Sequence, residues 1–149
     1  MNFAAQIKDF AVEAKGITAG NVRALVMEIG RRVVMRSPVG NRELWAINKY
    51  RAEKGLPPTP AGYAGGRFRA NWQYGTGTVP SGEVAAIDAT GSVSLKSIAG
   101  VMDAKVSEIH YIANNLPYSE HLENGGSTQA PGGMVELTML EVPAMVKIL

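Results

Sequence analysis

The sequence contains no cysteine and only two histidines. Without thiols, disulfide stapling and thiolate chemistry, whether nucleophilic or metal-binding, are excluded, and a cytosolic site of synthesis is the simplest reading. The serines and histidines are too few and too scattered to nominate a catalytic triad. Long apolar runs are also missing. The start MNFAAQIKDF carries Lys8 and Asp9 inside its apolar pattern, so it reads as neither a signal peptide nor a membrane span. No HExxH or GxSxG motif is present, and neither Gly65-Gly66-Arg67 nor Gly125-Gly126-Ser127 has the spaced GK[ST] ending of a phosphate loop. These absences make enzymatic activity the weakest of the function classes, and no cofactor is expected.

What is present describes one globular domain over residues 1–149. Apolar residues make up 46% of the chain and charged residues 19%, a balance that buries a core rather than leaving the chain disordered. The 17 glycines and 8 prolines bunch between Pro38 and Gly91 and again between Pro117 and Gly133, which predicts an α+β body with long loops that order on assembly. Net charge is only +2 but is unevenly spread. The first 72 residues hold 12 Lys/Arg against 5 Asp/Glu, and the remaining 77 hold 3 against 8. A chain so polarised can stack head to tail on copies of itself, or turn its basic part toward nucleic acid; two ordinary solvated faces are the plain alternative.

Helical periodicity dominates the first 36 residues. Phe3, Ile7, Phe10 and Ala14 predict an amphipathic helix over residues 2–15, ended by Gly16. Thr18 then serves as N-cap of a second helix to about Arg36, with Val22, Val26, Ile29 and Val33 on one stripe. Arg31, Arg32 and Arg36 lie in its last turns, where they suit the negative end of the helix dipole or a phosphate. Ser37-Pro38 stops that helix and opens an extended loop over residues 37–66, interrupted by a short helix over 43–54. Trp45, Tyr50 and Tyr63 mark this loop as a set of anchors for a neighbour or for the body itself.

From residue 67 onward the expected pattern is a sheet with helices. The alternating run RFRANWQY (67–74) predicts a strand, a second is expected over 83–87, and a third over 108–114. Asp88, Thr90 and Ser92 offer caps for a helix over about 91–104. The expected architecture is therefore a small antiparallel or mixed sheet of three to four strands against two or three helices, with long interface loops. The chain is organised around residues 108–140, EIHYIANNLPYSEHLENGGSTQAPGGMVELTML. An alternating run there passes into one or two acidic helical turns over 118–123, then a loop holding Gly125, Gly126, Gly132 and Gly133, then a helix ending at Pro143.

Three function classes are open on the residues alone. A docking surface would use Trp45, Tyr50, Tyr63, Tyr118, Glu120, Glu123, Gly125 and Gly126. A nucleic-acid module would use Arg31, Arg32, Arg36, Arg67 and Arg69 against phosphates. A metal-dependent hydrolase would draw on His110, His121, Glu120 and Glu123, but their spacing matches no metal-ligand pattern and no metal site is expected.

Three stretches carry a family likeness. RRVVMRSPVGNRELW, GGRFRANWQYG and IHYIANNLPYSEHLENGGSTQAPGGMVELTMLEV together resemble the tail-completion (neck) proteins of long-tailed bacteriophages, also known as minor tail components of the lambda Z type. The likeness runs from about Gly30 to Val142, with NNLPYSEHLENGGSTQAPGGMV its most specific part. It implies a virion structural protein, made in the host cytoplasm, that assembles as a homo-oligomeric, hexameric ring. The ring would lie between the head-completion, connector or portal proteins and the tail terminator or tail tube. Weak non-specific contact with packaged DNA is compatible with that place, and no membrane is involved. The family implies no catalytic residues. A tail terminator is the nearest alternative role.

Overall fold

A computed structural model describes the backbone of residues 3–149 and the side chains of residue 16 and residues 18–149. Its longest element is a single helix, α1 (Phe3–Arg36), of 34 residues, about 50 Å long at about 1.5 Å per residue. The two N-terminal helices expected from the sequence are thus one. Gly16 does not end the first, because neither it nor Gly20 takes the positive φ of a helix end. A helical glycine costs only about 1 kcal/mol relative to alanine. The anticipated apolar stripe of Phe3, Ile7, Phe10 and Ala14 lies on side chains outside the described residues.

After α1 come a 3₁₀ turn (Arg42–Leu44) and a helix, α2 (Ala46–Glu53), which shortens the helix expected over 43–54 by three residues at its start and one at its end. A second 3₁₀ turn (Arg69–Asn71) leads into strand β1 (Trp72–Thr76). Helix α3 (Ser92–Ile98) and a third 3₁₀ turn (Ala99–Asp103) precede strand β2 (His110–Asn114), and α4 (Ser119–Glu123) and α5 (Val135–Ile148) complete the chain.

The sheet is a two-stranded antiparallel ribbon with Trp72 opposite Asn114, Tyr74 opposite Ile112 and Thr76 opposite His110. The fold class is therefore α+β, but among the described residues two strands stand where three to four were expected. Two side-chain arrangements account for the shortfall. On the outer edge of β1, the N–H groups of Trp72 and Tyr74 donate to the hydroxyls of Ser94 and Ser97, each at 3.0 Å. These serines are one turn apart on α3, so a helix satisfies the edge that a further strand would otherwise pair. Residues 83–87, expected to be a strand, pass instead beside the buried Asn71. Its amide donates to Arg67 O and Val84 O, and its oxygen accepts from Val84 N–H at 2.7 Å. The strand expected over 67–74 begins only at Trp72, because the backbone before it closes into the 3₁₀ turn; the alternation there tracks burial of Phe68, Ala70 and Trp72 rather than sheet pairing.

The core gathers Val33 and Val34 from α1, Phe68 and Trp72, Ile98 from α3, Leu116, Ala130 and Met134. Phe68 and Trp72 meet edge to face with centroids 5.8 Å apart, and Trp72 Nε1–H donates to Ser37 Oγ, which donates to Val33 O. Ser37 thus joins the end of α1 to the start of the sheet. Helix α5 returns antiparallel along the second half of α1: Arg36 bonds Thr138 and Glu141, Arg32 bonds Glu141, and Asn21, near the middle of α1, meets Leu149 O. It continues five residues past Pro143, beyond its expected end. Pro143 and Met139, four residues before it, are both exposed, so the carbonyl left without an intrahelical donor is open to water.

Candidate interface cleft

A concavity of about 420 Å³ lies between the loop after α1, the residues before β1, and the segment around α4. Trp45 and Tyr63 form one wall, packed edge to face at 4.9 Å. Phe68 lies at the base and Tyr118 beside it, with ring centroids 6.0 Å apart. Arg67, Leu122 and residues 126–129 close the other side. Trp45, Tyr63 and Tyr118 are each a little over one-third exposed. Three aromatic residues far apart in sequence therefore line one cleft. Burial pushes the Tyr118 phenol pKa upward, against the opposing field of the Arg67 guanidinium; Arg67 is itself held by Glu83 at 2.6 Å.

Local hydrogen bonds join the walls of the cleft. Asn48, buried in α2, donates to Arg42 O and Thr59 O and accepts from Thr59 N–H, all at 2.7 Å. One side chain thereby ties both ends of the lobe 41–63, whose Thr59–Pro60 peptide is cis. Asn41 caps the short turn that follows it. Gln129 clamps the rim: its amide donates to Val39 O at 2.8 Å and its oxygen accepts from Val39 N–H at 3.1 Å.

The glycine-rich stretch is likewise structural. Gly125, with φ of 85°, follows α4 in the left-handed region. Gly126 N–H donates to His121 O and Gly125 N–H to Leu122 O, the bonding pattern of a Schellman helix end. A side chain at residue 126 would run into the His121 ring. Glu123 then reaches across the loop: its carboxylate accepts from the N–H groups of Met134, Val135 and Glu136 at 2.9–3.0 Å. Burial works to raise its pKa, but these three donors outweigh it and hold the group below its usual value. The negative end of this bridge sits on the N-terminus of α5, where a carboxylate is stabilised.

Of the expected docking residues, the cleft therefore unites Trp45, Tyr63, Tyr118 and Gly126. Tyr50 lies outside it on the exposed side of α2, with Lys54 Nζ 5.8 Å from its ring centroid. Glu120 is exposed on α4, Gly125 forms the helix end, and Glu123 caps α5. The five arginines considered for phosphate are all engaged within the chain. Arg31 and Arg32 bond Glu28, Arg32 and Arg36 bond Glu141, Arg67 bonds Glu83, and Arg69 donates to the carbonyls of Met35, Ser37 and Ala89. His110 bonds the Tyr74 hydroxyl at 2.7 Å, on a different element from His121 in α4. No group of three or more His, Asp or Glu side chains close enough to share a metal ion occurs among the described residues. Among them, too, no helix is long and apolar enough to cross a membrane.

Sequence reasoning missed the asparagines Asn48, Asn71, Asn114 and Asn115, which order the loops. Asn114 donates to Phe68 O, and Asn115 to Pro80 O and Gly82 O. The available signal was their position: Asn71 sits between Ala70 and Trp72 in an otherwise buried run, where only a hydrogen-bonded amide is tolerated. The chain matches no known protein family, no curated protein and no solved structure.

Proposed function

We propose that this chain is a structural joining protein of the phage neck, working through protein–protein contacts and assembling around the head–tail joint. The observation that carries the reading is the aromatic cleft: Trp45, Tyr63 and Tyr118, each partly exposed, stand on walls already fixed by Asn48 and Gln129. Tyrosine and tryptophan supply much of the binding energy in interfaces because they bury large area at little conformational cost. Walls held before binding reduce the ordering cost of association. The cleft takes a protruding segment of a neighbouring subunit. The likeness of residues 30–142 to tail-completion proteins supplies the setting, between connector and tail tube, and a place in the virion.

Replacing Trp45 or Tyr118 by alanine tests the reading. Each variant is expected to keep its circular dichroism spectrum yet fail to join purified heads and tails from a phage lacking the wild-type protein, with infectious particles scored by plaque count. Normal particle yield from both variants would remove the cleft from the joining mechanism.

A further inference from the structure

We propose that the outer edge of β2 is a docking site for an extended segment of another protein, which adds a third strand to the ribbon and turns a basic side chain toward α4. The alternation of an antiparallel ladder fixes which backbone groups β2 leaves open. Trp72 and Tyr74 turn their N–H groups away from β2, toward Ser94 and Ser97, and Gly77 N–H donates to Ile109 O at 2.9 Å. The pairs Gln73–Ala113 and Gly75–Tyr111 therefore carry the bonds between the strands. The N–H and C=O groups of His110, Ile112 and Asn114 point the other way. Ser119 Oγ donates to Asn114 O at 3.1 Å. Among the described residues, no hydrogen bond reaches the N–H or C=O of His110 or Ile112, or the N–H of Asn114. The two edges of the ribbon thus differ, since a helix closes the first and no described residue closes the second. The strand sequence HYIAN also lacks the proline or lysine that blunts an exposed edge.

A trough of about 410 Å³ runs beside that edge, and Ile112, Ala113 and Asn114 all line it. Successive strand side chains point to opposite faces, so a concavity touching three in a row lies along the edge rather than on one face. A further strand would sit about 4.8 Å from β2, in this space. Trp72 and Met134, both buried, give the trough an apolar part for one side chain of the incoming segment, and Glu120 gives it a charged one. Glu120 is exposed and has no ion pair among the described residues, and no Lys, Arg or His lines the trough. A Lys or Arg on the incoming segment is thereby favoured over Asp or Glu. Main-chain hydrogen bonds hold such a segment, and its alternate side chains select it. A second copy is the poorer occupant. Pairing β2 on β2 would bring two α4 helices, and with them two Glu120 carboxylates, to one shared edge, whereas a loop or chain end brings only its own side chains.

Amide hydrogen exchange of the full chain, followed by NMR, tests this with a short capped peptide that alternates valine with lysine. Exchange at Ile112 is expected to slow as the peptide is added, while the Trp72 and Tyr74 amides, which already donate to serines, hold steady. The same peptide N-methylated throughout keeps its side chains and loses every main-chain donor, so it is expected to bind about tenfold more weakly or less. Glutamate in place of lysine is expected to weaken binding about threefold, and Glu120→Lys, at an exposed position, to reverse that preference. Equal affinity for the methylated and parent peptides overturns the proposal, as does unchanged Ile112 exchange at millimolar peptide. Exchange at Ile112 that slows with rising protein concentration alone gives the edge to a second copy and overturns it equally. A preference that Glu120→Lys does not reverse overturns the choice of a basic partner. None of these readouts involves the cleft, whose contact with heads and tails is scored separately by plaque count.

Discussion

Asn48 illustrates how much of the architecture rests on single amides. Its three bonds of 2.7 Å to Arg42 O, Thr59 O and Thr59 N–H hold a lobe rich in proline and glycine that has no sheet to bind its backbone. Asn48→Ala leaves these part-buried groups without their protein partners, a loss of about 1–2 kcal/mol, read as a lower urea midpoint and faster exchange of the Thr59 amide. Unchanged exchange would show that the lobe is held by something else. Acid response belongs to this scale too. Hydrogen bonds from Arg31, then Arg32, lower the Glu28 pKa from 4.5 to about 2. A carboxylate depressed on folding contributes stability that is present above pH 4.5 and lost as pH falls toward about 2. Glu28→Gln is therefore expected to flatten the fall in denaturation midpoint across that window, while leaving the midpoint near pH 7 lower than in wild type. Parallel curves for the two proteins would contradict this. At residue scale the aromatic positions were legible in the sequence, since Trp45, Tyr63 and Tyr118 stood out in polar, proline-rich surroundings. The asparagine brackets were not, because a loop-ordering amide is chemically identical to a solvated one until its carbonyl partners, up to 46 residues away for Asn114, are known.

Helix α1 shows why element boundaries were harder to read than element types. A glycine at position 16 predicts a helix stop, yet the helix passes through Gly16, Gly20 and Gly30 without a break. These glycines differ in what surrounds them, and the same substitution should act in opposite directions. A Cβ at residue 20 meets nothing within 4 Å, whereas at residue 30 it would lie 2.7 Å from Ile98 Cδ1. Gly20→Ala is expected to stabilise the protein by about 0.5–1 kcal/mol through helix propensity. Gly30→Ala is expected to destabilise it by about 1–3 kcal/mol by overpacking the contact with α3. Thermal or urea denaturation decides both, and equal shifts in one direction would mean that α3 does not seat on Gly30. The sheet was overcounted for a related reason. Alternation at 67–74 reported burial correctly, but strand pairing depends on what faces the backbone edge, and there Ser94 and Ser97 supply the acceptors. Ser94→Ala, which leaves the buried Trp72 N–H unpaired, should cost about 1–3 kcal/mol; a neutral result would assign that edge another partner. The short helices over 119–123 and after Met134 were legible from spacing. What was hidden was their coupling, since Glu123 on one serves as the cap of the other.

Across the whole molecule, the charge asymmetry visible in the sequence acts first inside the fold. Arg32 and Arg36 of the basic first half are bonded to Glu141 of the acidic second half, so part of the polarity closes α5 onto α1. The individual arginines nominated for phosphate are likewise bonded within the chain and form no free patch among the described residues. Arg42, Lys49, Arg51 and Lys54 of the α2 lobe have no ion pair among the described residues and lie beside exposed apolar side chains. Electron microscopy of the purified full chain, alone and mixed with connector and tail-tube proteins from the same genome, tests the proposed assembly most directly. Closed rings that stack on the connector or tube, and that are lost with Trp45→Ala, are the predicted result. Isolated monomers beside every one of those components would contradict it.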